Sequence, residues 1–303
     1  MQQLQLLLLG TVLGASCGGS GGWSEVSAPA GLLSAVDVWA FSKSDVWVLD
    51  GSATVRRYDG AEWSTLATPA KGGLSCVFAR SATEVWLCAG QEVLRYDGTS
   101  FQAMDVSAVG LGSVSDLWAS SPTDVWIVGD QAIIGHYDGT RWTGTRAGSA
   151  FNASVWGSGP SDVYALGTFD LVHYDGTTWT TVDIHAGGGD ARVFGTSAND
   201  VWVSGSSELN HFDGMTWTPV ETNDFVGDIS AIWGPAKDDL WGVGSAGAIA
   251  HYDGKTWSQV AHQTIGSPYL RQFVAVHGSS ATDVWAVGQQ LGEGGSIGVL
   301  YRH

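Results

Sequence analysis

Along most of the chain, apolar and polar residues alternate in short runs, rich in Val, Trp, Leu and Tyr, broken by turns of Ser, Gly, Asp and Thr. No stretch keeps a 3.6-residue apolar period, so the pattern predicts short half-buried strands and no helices. The strands come in a fixed phrase. An apolar–aromatic–Gly/Ala step leads into a Ser-rich turn, then D-V-W, then H-Y-D-G-x-x-W. Each phrase reads as four strands, a to d, joined by tight turns.

The phrase repeats. Its first acid falls at Asp45, Glu84, Asp124, Asp162, Asp200, Asp239 and Asp283, at intervals of 39, 40, 38, 38, 39 and 44 residues. The D-G step falls at Asp59, Asp97, Asp138, Asp175, Asp213 and Asp253, and the seventh unit runs out at Arg302 and His303 before reaching one. The missing strand is found at the other end, where Trp23 to Val26 match the W-x-x-V that follows the D-G of blades 4 to 6, as at Trp179 to Val182. Four strands per repeat of about forty residues is the arithmetic of a propeller blade. The expected fold is therefore all-β, a seven-bladed β-propeller over residues 23–303, with four antiparallel strands per blade and the N-terminal strand completing blade 7. All 16 Trp fall on strand a, b or d of the repeat, which leaves none as a dedicated ligand platform.

Units such as Asp239 to Gly244 followed by His251 to Trp257 resemble the repeats of bacterial propellers of the Asp-box, kelch-like and two-component-regulator type. The Asp-to-aromatic spacing is one residue shorter than in the Asp-box, and the kelch Gly-Gly doublet is absent. The resemblance implies the propeller fold and a binding habit without fixing one activity.

Spacing separates the two faces of such a ring. The strand a to strand b aromatics are always 8 apart, and the strand c to strand d aromatics always 5 apart. All length variation lies in the b–c and d–a loops, which leave by the opposite face. D-G is a turn former, and a spacing of five sets Tyr against Trp across the hairpin. These Asp residues, and the acids of D-V-W, are expected to be framework. His136, His173, His211 and His251 share one repeat position, one per blade, and cannot converge on a metal; they are expected to act as spacers or caps. If Phe78 faces Trp86, then Cys76 faces Cys88 within disulfide range.

Charge narrows the partners. Thirteen Lys and Arg against 30 Asp and Glu give a net charge of −17, which argues against nucleic acid and anionic membrane surfaces. Residues 4–13 form the one long apolar run, too short to span a bilayer, and residues 1–16 read as an export signal. Small residues before Cys17 resemble a bacterial lipoprotein signal, with Cys17 as the lipidated residue and 17–22 as a Gly/Ser tether. The expected location is the outer membrane or cell surface, alternatively the periplasm or the medium, with membrane contact only through that lipid.

No catalytic motif survives its context. Two G-x-S-x-G matches lie in the signal and tether, and the G-x-G-x-x-G at Gly242 to Gly247 opens no helix. No cofactor, metal or catalytic residue is expected. The leading expectation is a monomeric binding or scaffold ring taking a protein or glycan partner on its variable face. Alternatives are a polysaccharide hydrolase or lyase using Asp37 and Asp116, a sialidase-like enzyme, or a structural subunit of an envelope complex. Blade 7 has the longest loops, so Tyr269, Arg271 and Glu293 are expected to form a local wall for the ligand, with His277, Arg192 and Asp228 as further candidates.

Overall fold

The computed structural model describes residues 22–148, 152–184, 191–205, 208–222, 225–262, 270–292 and 295–303, the side chains of 152 and 153 excepted. Tyr269, Glu293 and Cys17 lie outside the described residues. The strands form seven four-stranded antiparallel sheets, and no α-helix occurs among the described residues. Blade 1 is typical, with strand a at Asp37–Ser42, b at Asp45–Leu49, c at Thr54–Tyr58 and d at Trp63–Ala67. Blade 7 takes its first three strands from the C-terminus (Leu270–Ser280, Asp283–Gly292, Gly295–Arg302) and its outermost, Ser24–Val26, from the N-terminus. Ser24 pairs with Arg302 and Val26 with Leu300. The ring is closed by the strand that the repeat count lacked.

Six of the seven blades are tightened by a lock between strands b and c. The His or Arg of strand c pairs with the acid that opens strand b: Arg57 with Asp45 at 2.8 Å, His136 with Asp124 at 2.6 Å, His173 with Asp162 at 2.6 Å, His211 with Asp200 at 2.7 Å, His251 with Asp239 at 2.7 Å and Arg302 with Asp283 at 2.8 Å. In four of these blades a hydroxyl near the a–b turn donates to the same carboxylate, as Thr196 does to Asp200 at 2.5 Å. The imidazole also lies on the strand b aromatic opposite it, His211 on Trp202 at 3.9 Å and His136 on Trp126 at 4.0 Å. The histidines are thus more than spacers or caps: they couple two strands by a charge-assisted bond and a ring contact. In blade 2, Arg95 instead lies over the Trp86 ring at 5.2 Å, and Glu84 pairs with Arg80.

The D-G turn binds itself. Asp138 Oδ1 accepts from the Thr140 N–H at 2.8 Å and the Arg141 N–H at 2.9 Å. Gly139 has φ of 90°, and a Cβ there would stand 2.8 Å from Thr123 in the neighbouring a–b turn. Tyr137 and Trp142 face one another at 5.3 Å, as the spacing of five requires.

Blades join through the strand b aromatic, which inserts into the next blade's c–d hairpin. Trp126 meets Tyr174 at 5.2 Å and Trp179 at 5.7 Å; Trp202 meets Tyr252 at 5.0 Å and Trp257 at 5.6 Å. Across the closure, Trp285 of blade 7 meets Tyr58 of blade 1 at 5.5 Å, and Trp241 of blade 6 meets Trp23 at 5.2 Å. A second joint runs along the inner strands, where the strand a aromatic lies over the small residue of the next blade. A Cβ on Gly195 would come within 2.5 Å of Trp156, and one on Gly278 within 2.5 Å of Trp233. This explains the aromatic–Gly/Ala step.

The closing N-terminal strand thus brings with it one deeply buried ring, Trp23, which is 4% exposed. Trp23→Ala should cost about 3–5 kcal/mol, read as a lower denaturant midpoint. Met215→Ala, on an exposed turn, should stay within about 0.5 kcal/mol. Equal midpoints for the two variants would argue against closure through Trp23.

Candidate functional site

The seven inner strands enclose a channel on the ring axis. Asp37, Cys76, Asp116, Ser154, Arg192, Ala231 and Ala275 occupy matching positions around it, two residues ahead of Trp39, Phe78, Trp118, Trp156, Phe194, Trp233 and His277. Both levels line a cavity of about 230 Å³. Above the polar level, on the variable face, a wider recess of about 550 Å³ is bounded by Val36, Gly51, Gly73, Gly90 and Val114. Ser75, Ser115 and Arg192 line both spaces. Since that recess is otherwise built from blades 1 to 3, Arg192 reaches it from blade 5, across the axis.

The two channel acids are also inter-blade ties. Asp37 accepts from the Val38 N–H at 2.9 Å and, one blade on, from the Val77 N–H at 2.7 Å. Asp116 accepts from the Leu117 N–H at 2.8 Å, the Val155 N–H at 3.0 Å and the Ser154 hydroxyl at 2.9 Å. Desolvation deep in the ring pushes Asp37 up to about 7, with the nearby Asp116 adding to the rise and main-chain donors and Arg192 opposing it. Asp116 is also raised by burial, against the pull of Arg192. Arg192 lies within 4 Å of neither carboxylate, and its guanidinium donates to the Ala191 carbonyl at 3.3 Å.

The sequence-derived candidates separate. His277 lines the channel and ties two blades: its Nδ1 accepts from the Ala40 N–H of blade 1 at 3.1 Å, and its ring stacks on Trp39 at 3.9 Å. It joins the last blade to the first, and burial pushes it down to about 3, so the imidazole stays neutral and keeps its acceptor. Arg271 is 7% exposed and faces the blade interior. From strand a it donates to Gln290 on b at 2.8 Å and to the Tyr301 hydroxyl on c at 2.6 Å; that hydroxyl donates to Glu25 on d at 3.0 Å. It pins all four strands of blade 7 and lies over the Tyr301 ring at 5.0 Å. Asp228 is exposed on the variable face, its main-chain N–H bonded to the Ser245 hydroxyl at 2.9 Å. Cys76 and Cys88 face one another, Cα to Cα 4.9 Å, and are joined by a disulfide. Among the described residues, no group of three or more His, Cys, Asp and Glu is placed to hold a metal.

No family model matches the chain, and no curated protein is similar to it. Solved structures are similar in fold. YCF48 bound to D1 peptide superposes with a TM-score of 0.68 at 16% identity, over 93% of this chain and 96% of that one. YCF48 from Cyanidioschyzon merolae gives 0.68 at 15%, over 92% and 98%. The WD40 propeller domain of Doa1 gives 0.70 at 12%, over 94% and 96%. The chain is a seven-bladed β-propeller. At these identities the likeness extends to the fold alone.

The carboxylates give stability two opposed pH limits. Threonine and main-chain donors hold Asp97, Asp138 and Asp175 at about 2. At Asp124 and Asp200, burial alone would raise the carboxyl, but bonds from His136, His211 and the turn hydroxyls outweigh it. These depressed groups stabilise the fold above their ordinary value of 3.8, and that contribution is lost as pH falls toward 2. Asp37 is the reverse case. Between 3.8 and about 7 the native ring keeps a proton that the unfolded chain has released, so stability falls as pH rises. A denaturant-midpoint series should peak near the low end of that window. The Asp37→Asn, Asp116→Asn double variant should flatten the decline toward pH 7 and leave the acid limb in place. An unchanged neutral limb would show that the channel acids do not govern it.

Proposed function

We propose that the chain is a non-catalytic binding ring that takes a protein partner on its variable face. One observation carries this reading. Of six large exposed apolar side chains among the described residues, Leu33, Phe169, Leu270, Leu291 and Ile297 belong to the variable-face loops and hairpin tip, and Met215 alone lies on the turn face. Leu270 pairs with Leu291 on the extended blade 7 hairpin, and the Ser296 hydroxyl beside them bonds the Leu33 carbonyl at 2.7 Å. Four of the six, Leu33, Leu270, Leu291 and Ile297, gather at blade 7, and an exposed apolar patch of this kind suits a polypeptide surface. Of the wall expected around Tyr269, Arg271 and Glu293, Arg271 is kept in this proposal as the residue that braces the described part of the blade 7 hairpin; the other two lie outside the described residues. The similar YCF48 structure is described as bound to a D1 peptide, which supports a polypeptide ligand for a ring of this shape.

Export and a lipid on Cys17 complete the proposal. The first described residues, Gly22 and Trp23, enter the ring on the turn face, with Trp23 against Trp241 and His303. A short tether there would turn the variable face away from the membrane. Recovery of partners by cross-linking is the test: Leu270→Ser with Leu291→Ser should reduce it about tenfold, while Met215→Ser leaves it unchanged. Equal recovery by all three proteins would place the partner surface elsewhere.

A further inference from the structure

We propose that the axial channel is a receptor for an organic monocation, an alkylammonium or guanidinium group that enters from the variable face and sits between Asp37 and Asp116. The inference rests on the binding-ring reading of that face and assigns it a ligand chemistry.

Charge and shape carry it. Two carboxylates and one guanidinium line the cavity, so with both acids ionised the polar level is one positive charge short, a charge that a retained proton or a bound cation can supply, and Arg192 is seated against neither acid. The framework does not require acids there, because Ala231 and Ala275 fill the matching position in blades 6 and 7. Each acid spends both oxygens on fixed donors, which orients its remaining lone pairs and holds it in place. A carboxylate buried without a counter-charge is costly, and a monocation removes that cost. Directly below, the aromatic edges and faces of Trp39, Trp118, Trp156 and Trp233 line the same cavity, and indole is the best aromatic partner for a cation. That wall favours an organic cation over a bare metal ion, which would need more oxygen ligands.

Size and access agree. The cavity of about 230 Å³ exceeds the roughly 150 Å³ that holds a benzene ring in an engineered core. The recess above it, of about 550 Å³, gives entry to a free amine or to a basic side chain carried by a partner. The net charge of −17 draws cations toward the ring.

Proton uptake gives an independent handle. Burial raises Asp37 to about 7, with Asp116 of blade 3 and Arg192 of blade 5 as its charged neighbours on the channel and neutral His277 below. A bound cation favours the ionised carboxyl and drives that proton into solution.

Calorimetric titration of the whole chain at pH 7 tests this, with n-butylammonium, n-butylguanidinium and an end-capped Gly-Gly-Lys-Gly-Gly peptide as probes and butyrate as the control. The expected result is saturable binding of the cations, proton release that appears when buffers of different ionisation enthalpy are compared, and no binding of butyrate. Asp37→Asn with Asp116→Asn should weaken binding at least about tenfold. Arg192→Gln, which removes the like charge and leaves both acid ties intact, should tighten it about threefold. Peptide binding about tenfold stronger than the free amine would identify a partner's basic side chain as the source; equal or weaker peptide binding would identify a small amine. Absence of saturable cation binding overturns the proposal, as does butyrate binding that Arg192→Gln abolishes. Should the channel fail this test while the Leu270 and Leu291 substitutions still abolish partner recovery, the binding-ring reading stands and the channel assignment alone falls.

Discussion

The ring depends on one contact made between neighbours, the insertion of a strand b aromatic into the Tyr–Trp hairpin of the next blade. No blade can bury this ring by itself, because its partner surface belongs to the following repeat. The contact is observed between Trp47 and Tyr96, between Trp126 and Tyr174, and between Trp285 and Tyr58 across the closure. Aromatic pairs at these separations add to a large apolar burial. The shared requirement makes closure all-round: the last joint needs an outer strand for blade 7, and Trp23 with Ser24–Val26 provides it.

The hairpin locks make six of the seven blades stiff enough to hold that contact. A carboxylate gathering an imidazole, a turn hydroxyl and, at Asp200, the Trp202 N–H at 3.2 Å fixes strand b against strand c and aims the indole outward. Every lock lies toward the turn face, which explains why spacing there does not vary. The opposite face carries no such constraint. Its loops differ in length, and five of the six large exposed apolar side chains among the described residues lie there.

At the axis, two demands meet. The inner strands must be tied blade to blade, and a carboxylate can do this by accepting a main-chain N–H from its neighbour, as Asp37 does from Val77. The same burial raises the carboxyl toward neutrality, so the tie leaves a group that titrates near physiological pH beside an open cavity. Blade 7 solves the corresponding problem without charge: His277, kept neutral, accepts from Ala40 and stacks on Trp39.

The blade count, the four-strand unit, the N-terminal closure, the two faces and the Cys76–Cys88 pairing are local properties of the chain. Each depends on residues a fixed number of positions apart, and period-two alternation with D-G turns converts such spacing directly into register. The blade 7 wall could not be read the same way. Arg271 stands in a loop-like stretch of sequence and is expected to contact a ligand, yet Gln290, Tyr301 and Glu25 converge on it from three other strands, one of them from the opposite end of the chain. Asp37, Asp116 and Arg192 belong to blades 1, 3 and 5, and their common position in the repeat is legible while their meeting across the axis is not. Only ring closure decides which side chains face the channel, because burial and electrostatic coupling depend on distances through space that no interval along the chain encodes.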